Sequence, residues 1–164
     1  MTTEVHRTVP KPSHIAADGS LAMVDVGPKA ATARTARAEA TVVLTAAAAA
    51  ALRTATAPKG DAFVAAQLAG IMAAKRTGEL IPLAHPIGLG AVDVAFAWSG
   101  EQTLRIETRA TTVGPTGVEM EAMVAASIAA LTMYDMLKGV DKGIRIDGVR
   151  LLEKTGGKSG TWTA

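Results

Sequence analysis

Charged side chains stand at both ends of one stretch, Gly114–Gly139, which reads GPTGVEMEAMVAASIAALTMYDMLKG. Glu119 and Glu121 open it and Asp135 and Lys138 close it, residue types that move protons or hold ionic ligands. Thr116 followed three places later by Glu119 has the form of a capping box, and Gly139 just after Lys138 makes a helix stop. On the helix this predicts, Glu121, Ala125, Ile128, Thr132 and Asp135 form one stripe. Met120, Val124, Ser127, Leu131, Tyr134 and Lys138 form the next. At 1.5 Å per residue, Glu121 and Asp135 lie roughly 21 Å apart along the axis. Side chains of one helix do not close that gap around a small reacting group. A site that uses both ends needs a long ligand or two subunits. The plainer alternative makes Glu119 a cap, Asp135 and Lys138 an exposed i,i+3 pair, and the remainder core.

Two other places offer chemistry. In PKGDAF, Asp61 caps a helix running to about Arg76, and Lys59 with Gly60 stands just before it. That is either a phosphate corner at a helix N-terminus or an ordinary capped turn. In ELIPLAHP, Pro82 and Pro86 exclude regular helix and hold His85 extended, a stiff apolar setting for one imidazole. A lone histidine is more often structural, yet a fixed ring suits acid–base work. The tail EKTGGKSGTWTA ends like a phosphate loop, but Leu152 occupies the place of the leading glycine in GxxxxGK[ST] and no helix follows. What remains is a flexible loop whose Lys154 and Lys158 can close over an anion.

The elements that must position these groups follow from pattern. Leu21–Val26 and Ala33–Leu44 read as strands, Ala46–Thr54 as a short alanine-rich helix, and Asp61 opens a second helix whose Gly70 suits close packing. Ala91–Trp98 and Thr103–Val113 alternate and pair as a hairpin through Gly100, the long helix follows, and Gly143–Leu152 is a last strand. The order β-β-α-α-β-β-α-β predicts an α+β fold with helices on one face of an antiparallel sheet. Residues 1–19, with Pro10, Pro12, His6 and His14, form a flexible arm, and 20–164 a single domain.

Composition narrows the function. The 164 residues are 49% hydrophobic with mean hydropathy +0.25, much of it alanine, which leaves room for an oligomer interface. No run approaches the roughly 20 apolar residues of a membrane span, and the N-terminus has no signal core, so a cytoplasmic protein is expected. Without cysteine there is no disulfide or thiolate metal site, and no metal-ligand cluster is visible. A net charge of +2 and 3% aromatic residues argue against broad nucleic-acid binding.

Taken together, KGDAF…AGIMAAKRT, LIPLAHP, TGVEMEAM…AALTMYDMLK and RLLEKTGGKSG resemble the cyclic pyranopterin monophosphate synthase family (MoaC) of molybdenum cofactor biosynthesis. SHIAADGSLAMVDV and ARTARAEATV resemble its start, so the likeness covers roughly residues 13–162. It implies a ferredoxin-like subunit and a homohexamer, a trimer of dimers with active sites between subunits. It also implies a nucleotide-derived small-molecule substrate. A 3′,8-cyclo intermediate from guanosine triphosphate would be rearranged to cyclic pyranopterin monophosphate with release of pyrophosphate. By motif match Lys59, His85, Asp135 and Lys138 fall on catalytic positions. Leu83, Ala84 and His85 with Met120 and Glu121 fall on substrate-binding segments, and Glu119 and Lys154 on further site positions. Lys59, Lys154, Lys158 and Arg34 are the cations available to phosphate oxygens. The protein itself requires no cofactor; Mg²⁺, where used, rides in on the triphosphate.

Two departures stand out. Ala84 replaces the family's usual cysteine, and Pro115 stands where a basic residue is common. They support one competing reading, a non-catalytic paralogue that keeps the oligomer and binds a nucleotide or a partner protein. The intact Lys59, His85, Asp135 and Lys138 favour the enzyme.

Overall fold

The computed structural model describes Ile15 and residues 18–164; His6, His14 and most of the arm expected over 1–19 lie outside the described residues. Strand β1 (Thr32–Val43) leads into α1 (Ala46–Arg53), α2 (Ala62–Ala74) and a four-residue α3 (Thr77–Leu80). The hairpin β2 (Ala91–Trp98) and β3 (Thr103–Gly114) precedes α4 (Glu119–Leu137), and β4 (Arg145–Thr155) and β5 (Trp162–Thr163) close the chain. The sheet order is β2-β3-β1-β4-β5 with every pairing antiparallel. This is the ferredoxin-like α+β arrangement, in which β2 and β4 flank the central pair β3 and β1, with the short β5 added at the β4 edge.

Alternation along the strands decides which face carries the helices. In β3, Leu104, Ile106, Thr108 and Ala110 are buried and the residues between them turn outward. Ala36, Ala38, Ala40 and Val42 do the same in β1. Against this face α4 lays Ala122, Ala126, Ala129, Ala130, Met133 and Leu137, all fully buried. Met133 and Leu137 each contribute about 1.5–3 kcal/mol by leaving water. Thr108 Oγ1 donates to the Ala122 carbonyl at 2.7 Å, fixing the helix on β3. α2 crosses α4 at Gly70, where a Cβ would stand 3.0 Å from the Ala125 carbonyl oxygen and 3.3 Å from the Ala129 Cβ. The close helix contact expected at Gly70 is there, because both helices present small residues.

The opposite face is charged. Register sets Arg37 against Arg109 and Glu39 against Glu107, like facing like. Opposite charges resolve the clash: Arg37 bonds Glu107 diagonally on β3 and Glu153 directly opposite on β4, and Glu39, buried, is held by its β4 partner Arg150 at 2.7 Å.

Several expectations are corrected. Leu21–Val26 is not a strand; Leu21 makes one isolated bridge to Ile15 and residues 22–26 run irregularly. The capping box does not form. α4 begins after Val118 without a side-chain cap, because Glu119 reaches across to Lys154. Lys154 lies in β4, which runs three residues beyond its expected end, so of the two tail lysines Lys158 alone sits in the loop between β4 and β5. α4 is, by length and composition, apolar enough to cross a bilayer, contrary to the reading that no run approaches that size. More than half of it is buried inside the domain, as in the core helix of a folded protein.

Candidate active site

The C-terminal end of α4 carries an ionic cluster. Asp135 Oδ1 accepts from Lys138 at 2.7 Å and Oδ2 accepts from Lys59 at 2.6 Å. Lys138 follows one turn later on the helix, whereas Lys59 arrives from the turn between α1 and α2. Gly60 there has φ +95°, and Asp61 caps α2 by accepting from the Phe63 and Val64 amides. These amides are therefore taken, and the ordinary capped turn describes this corner better than a free anion site. Its lysine is committed to Asp135. All three side chains are about half exposed. The two ammonium groups hold the Asp135 carboxyl down at about 2, Lys138 first, and Asp135 in turn raises Lys138. At neutral pH this is a fixed carboxylate between two cations, open to solvent.

The N-terminal end of α4 borders a cavity of about 480 Å³. Leu83, Ala84 and His85 form one wall, Thr116, Gly117, Glu119, Met120 and Glu121 another, and Val24, Val26 and Lys29 a third. His85 Nε2 lies 2.8 Å from the Val24 carbonyl oxygen. A carbonyl only accepts, so Nε2 carries the hydrogen and in the neutral ring Nδ1 is left as the acceptor. Lys154 donates to Glu119 at 2.8 Å.

Glu121 is the exceptional group. It is 2% exposed, and its Oε2 has no hydrogen-bond partner among the described residues. Desolvation, with Glu119 nearby adding repulsion, pushes its carboxyl up to about 7. It also lines a second cavity, about 400 Å³, between Thr77–Glu79 and Pro86–Gly88.

The structure thus gathers the predicted residues into two groups. Lys59, Asp135 and Lys138 meet at one end of α4; Leu83, Ala84, His85, Glu119, Met120, Glu121 and Lys154 surround the other. Arg34 belongs to neither as a free cation, since it donates to the carbonyls of Gly114 and Pro115 at 2.9 and 3.1 Å. Lys158 is exposed in the loop before β5. The residues missed include Val24 and Val26, which fall in the expected strand Leu21–Val26, and Lys29, to which the sequence assigns nothing. The resemblance of SHIAADGSLAMVDV to the family's start is the signal that reaches Val24 and Val26; it stops short of Lys29. Among the described residues no group of three or more His, Asp and Glu side chains is placed to hold a metal ion.

Residues 23–157 match the MoaC family, a span that includes both ends of α4 and the cavity wall. The chain belongs to the MoaC family. Similar proteins are near full-length matches. A cyclic pyranopterin monophosphate synthase of Corynebacterium efficiens is 55% identical over 151 residues, covering 92% of this chain and 97% of the relative. Synthases of the same name from Novosphingobium aromaticivorans and Methylobacterium sp. are 51% and 52% identical, each covering 93% of this chain and 96% of the relative. Within this MoaC chain Ala84 and Pro115 have different surroundings. Ala84 lines the cavity, and Pro115 offers its carbonyl to Arg34.

Proposed function

We propose that this protein is a cyclic pyranopterin monophosphate synthase. It converts the 3′,8-cyclo intermediate derived from guanosine triphosphate into cyclic pyranopterin monophosphate and pyrophosphate, in the cytoplasm. The observation that carries this reading is the near full-length match to synthases together with an intact Lys59–Asp135–Lys138 cluster.

In this reading Asp135 is an anchor rather than a proton carrier. A carboxyl held near 2 is a poor base at neutral pH, but it fixes two ammonium groups beside the reacting centre. Lys138 and Lys59 then donate protons or hold the phosphate oxygens as charge builds during ring closure and pyrophosphate departure. Glu121, near 7, is the group suited to both taking and giving a proton at neutral pH. His85 offers Nδ1 from a ring fixed by Val24. Lys154, beside Glu119, and the exposed Lys158 add positive charge for the phosphates, and a divalent ion bound to the triphosphate needs few protein ligands.

The roughly 21 Å between Glu121 and Asp135 supports a composite site in which one subunit supplies the cavity and a neighbour the ionic cluster. A homohexamer of paired subunits would provide such sites. Turnover tests the reading. Wild-type protein given the cyclic intermediate should form cyclic pyranopterin monophosphate and pyrophosphate in equal amounts, and Lys59→Ala and Asp135→Asn should abolish both while staying folded. Wild type that is inert, and stays inert as Pro115→Lys, would defeat it, leaving the non-catalytic paralogue that Ala84 and Pro115 favour. Pro115→Lys separates the two: activity gained would mark an enzyme weakened at that turn.

A further inference from the structure

α4 begins without a side-chain cap, although its first turn carries Glu119, Met120 and Glu121 into the cavity wall. Something else must fix the turn that delivers it. Arg34 lies on the helix side of β1, in step with the buried Ala36 and Ala38, at the sheet end where α4 starts. Its Nε donates to the Gly114 carbonyl at 2.9 Å and its Nη2 to the Pro115 carbonyl at 3.1 Å. Two successive carbonyls of that turn are thereby tied to one guanidinium.

The guanidinium in turn rests on the GG of the tail motif. Gly156 and Gly157 follow β4 with φ +95° and +72°, conformations that favour glycine. A Cβ at Gly157 would stand 2.4 Å from Arg34 Nη1, and one at Gly156 would stand 2.3 Å from the Ala33 carbonyl oxygen. Only bare backbone fits there. The same strand end supplies Lys154 to Glu119, so the hairpin of β4 and β5 holds the start of α4 at two points.

We propose that Arg34, seated on Gly156 and Gly157, is a positioning residue for the substrate cavity, holding the turn that places Glu119, Met120 and Glu121. This rests on the synthase reading of the site. It gives Arg34 a task other than binding phosphate, and it gives the GG pair a task other than cradling one.

Four variants and a double test it. Arg34→Ala and Arg34→Lys should each raise KM about tenfold and lower kcat several-fold as Glu121 is displaced, since a lysine ammonium lacks the planar fork that matches the two carbonyls. Gly157→Ala should reproduce this, and Arg34→Ala/Gly157→Ala should be no worse than Arg34→Ala, because the clash is gone. Gly160→Ala, also at positive φ but facing open space, controls for backbone strain and should match wild type. Amide exchange at residues 116–121 should quicken in Arg34→Ala and Gly157→Ala but not in Gly160→Ala. This readout needs no turnover, so an inert wild type would defeat the synthase reading alone. Full activity in Arg34→Lys would overturn the proposal in favour of a charge contact with substrate. Loss of kcat and melting temperature with KM unchanged would reduce Arg34 to a fold-stabilising role, and unchanged exchange would remove the proposal altogether.

Discussion

The two ends of α4 place the same chemical group under opposite conditions. Asp135, half exposed between two lysines, is held ionised far below neutral pH. Glu121, one helix-length away, is buried beside an apolar wall, has no partner for Oε2 among the described residues and titrates near 7. Charge partners dominate at one end and desolvation at the other. A single helix therefore carries one carboxylate suited to holding cations and one suited to exchanging a proton. What a carboxyl does is decided by its surroundings, and here the surroundings differ along one element.

The sharpest way to break this contrast is Asp135→Asn. Turnover should fall at least about hundredfold, while the melting temperature barely moves because the pairs it loses are exposed. A large loss of stability would mean that the cluster is structural. At the buried end, pH tests the account. The folded chain keeps the Glu121 proton up to about 7, whereas the unfolded chain releases it near 4.5. In that window unfolding releases a proton, so stability falls as pH rises through it, by up to roughly 3 kcal/mol. Denaturant titrations at pH 5 and pH 8 should show the fall in wild type, and Glu121→Gln should remove it. Between the ends, Gly70→Val pushes α2 off the middle of α4 and should cost about 1–3 kcal/mol in denaturant unfolding. Its effect on the Asp135 cluster should be small. The least effect is expected from Lys154→Ala, which leaves the Glu119 charge unpaired beside Glu121. Stability should change by about 1 kcal/mol or less, and carbon-detected titration should show the Glu121 midpoint shifted upward.

Much of the architecture was legible in sequence because it is periodic. The alternation of β2 and β3, the small-residue spine of α4 and the glycine at the α2 crossing each follow from local pattern. Contacts between distant positions were not legible. The capping box at Thr116 and Glu119 looked sound locally, but Glu119 found Lys154, 35 residues on, a contact no local pattern reports. The stripes of α4 were drawn correctly without revealing that Glu121 is buried and Leu131, on the other stripe, exposed. Which side meets the sheet depends on the whole core. β5 is two residues long, too short for any period. The segment before β1 has a strand's composition, yet it runs over the cavity and gives its Val24 carbonyl to His85. Of the site, the two ends were visible as charges 14 positions apart, and the length of the helix already separated them. That Lys59 closes on Asp135 required the fold.

We propose that these two ends, from different subunits, serve one reaction. Mixing tests it directly. Asp135→Asn and His85→Ala proteins, each inactive alone, should regain a substantial share of wild-type turnover of the cyclic intermediate when unfolded together and refolded as mixed oligomers. Some interfaces would then pair an intact cavity with an intact ionic cluster. Mixed oligomers that remain as inactive as either parent would contradict the account.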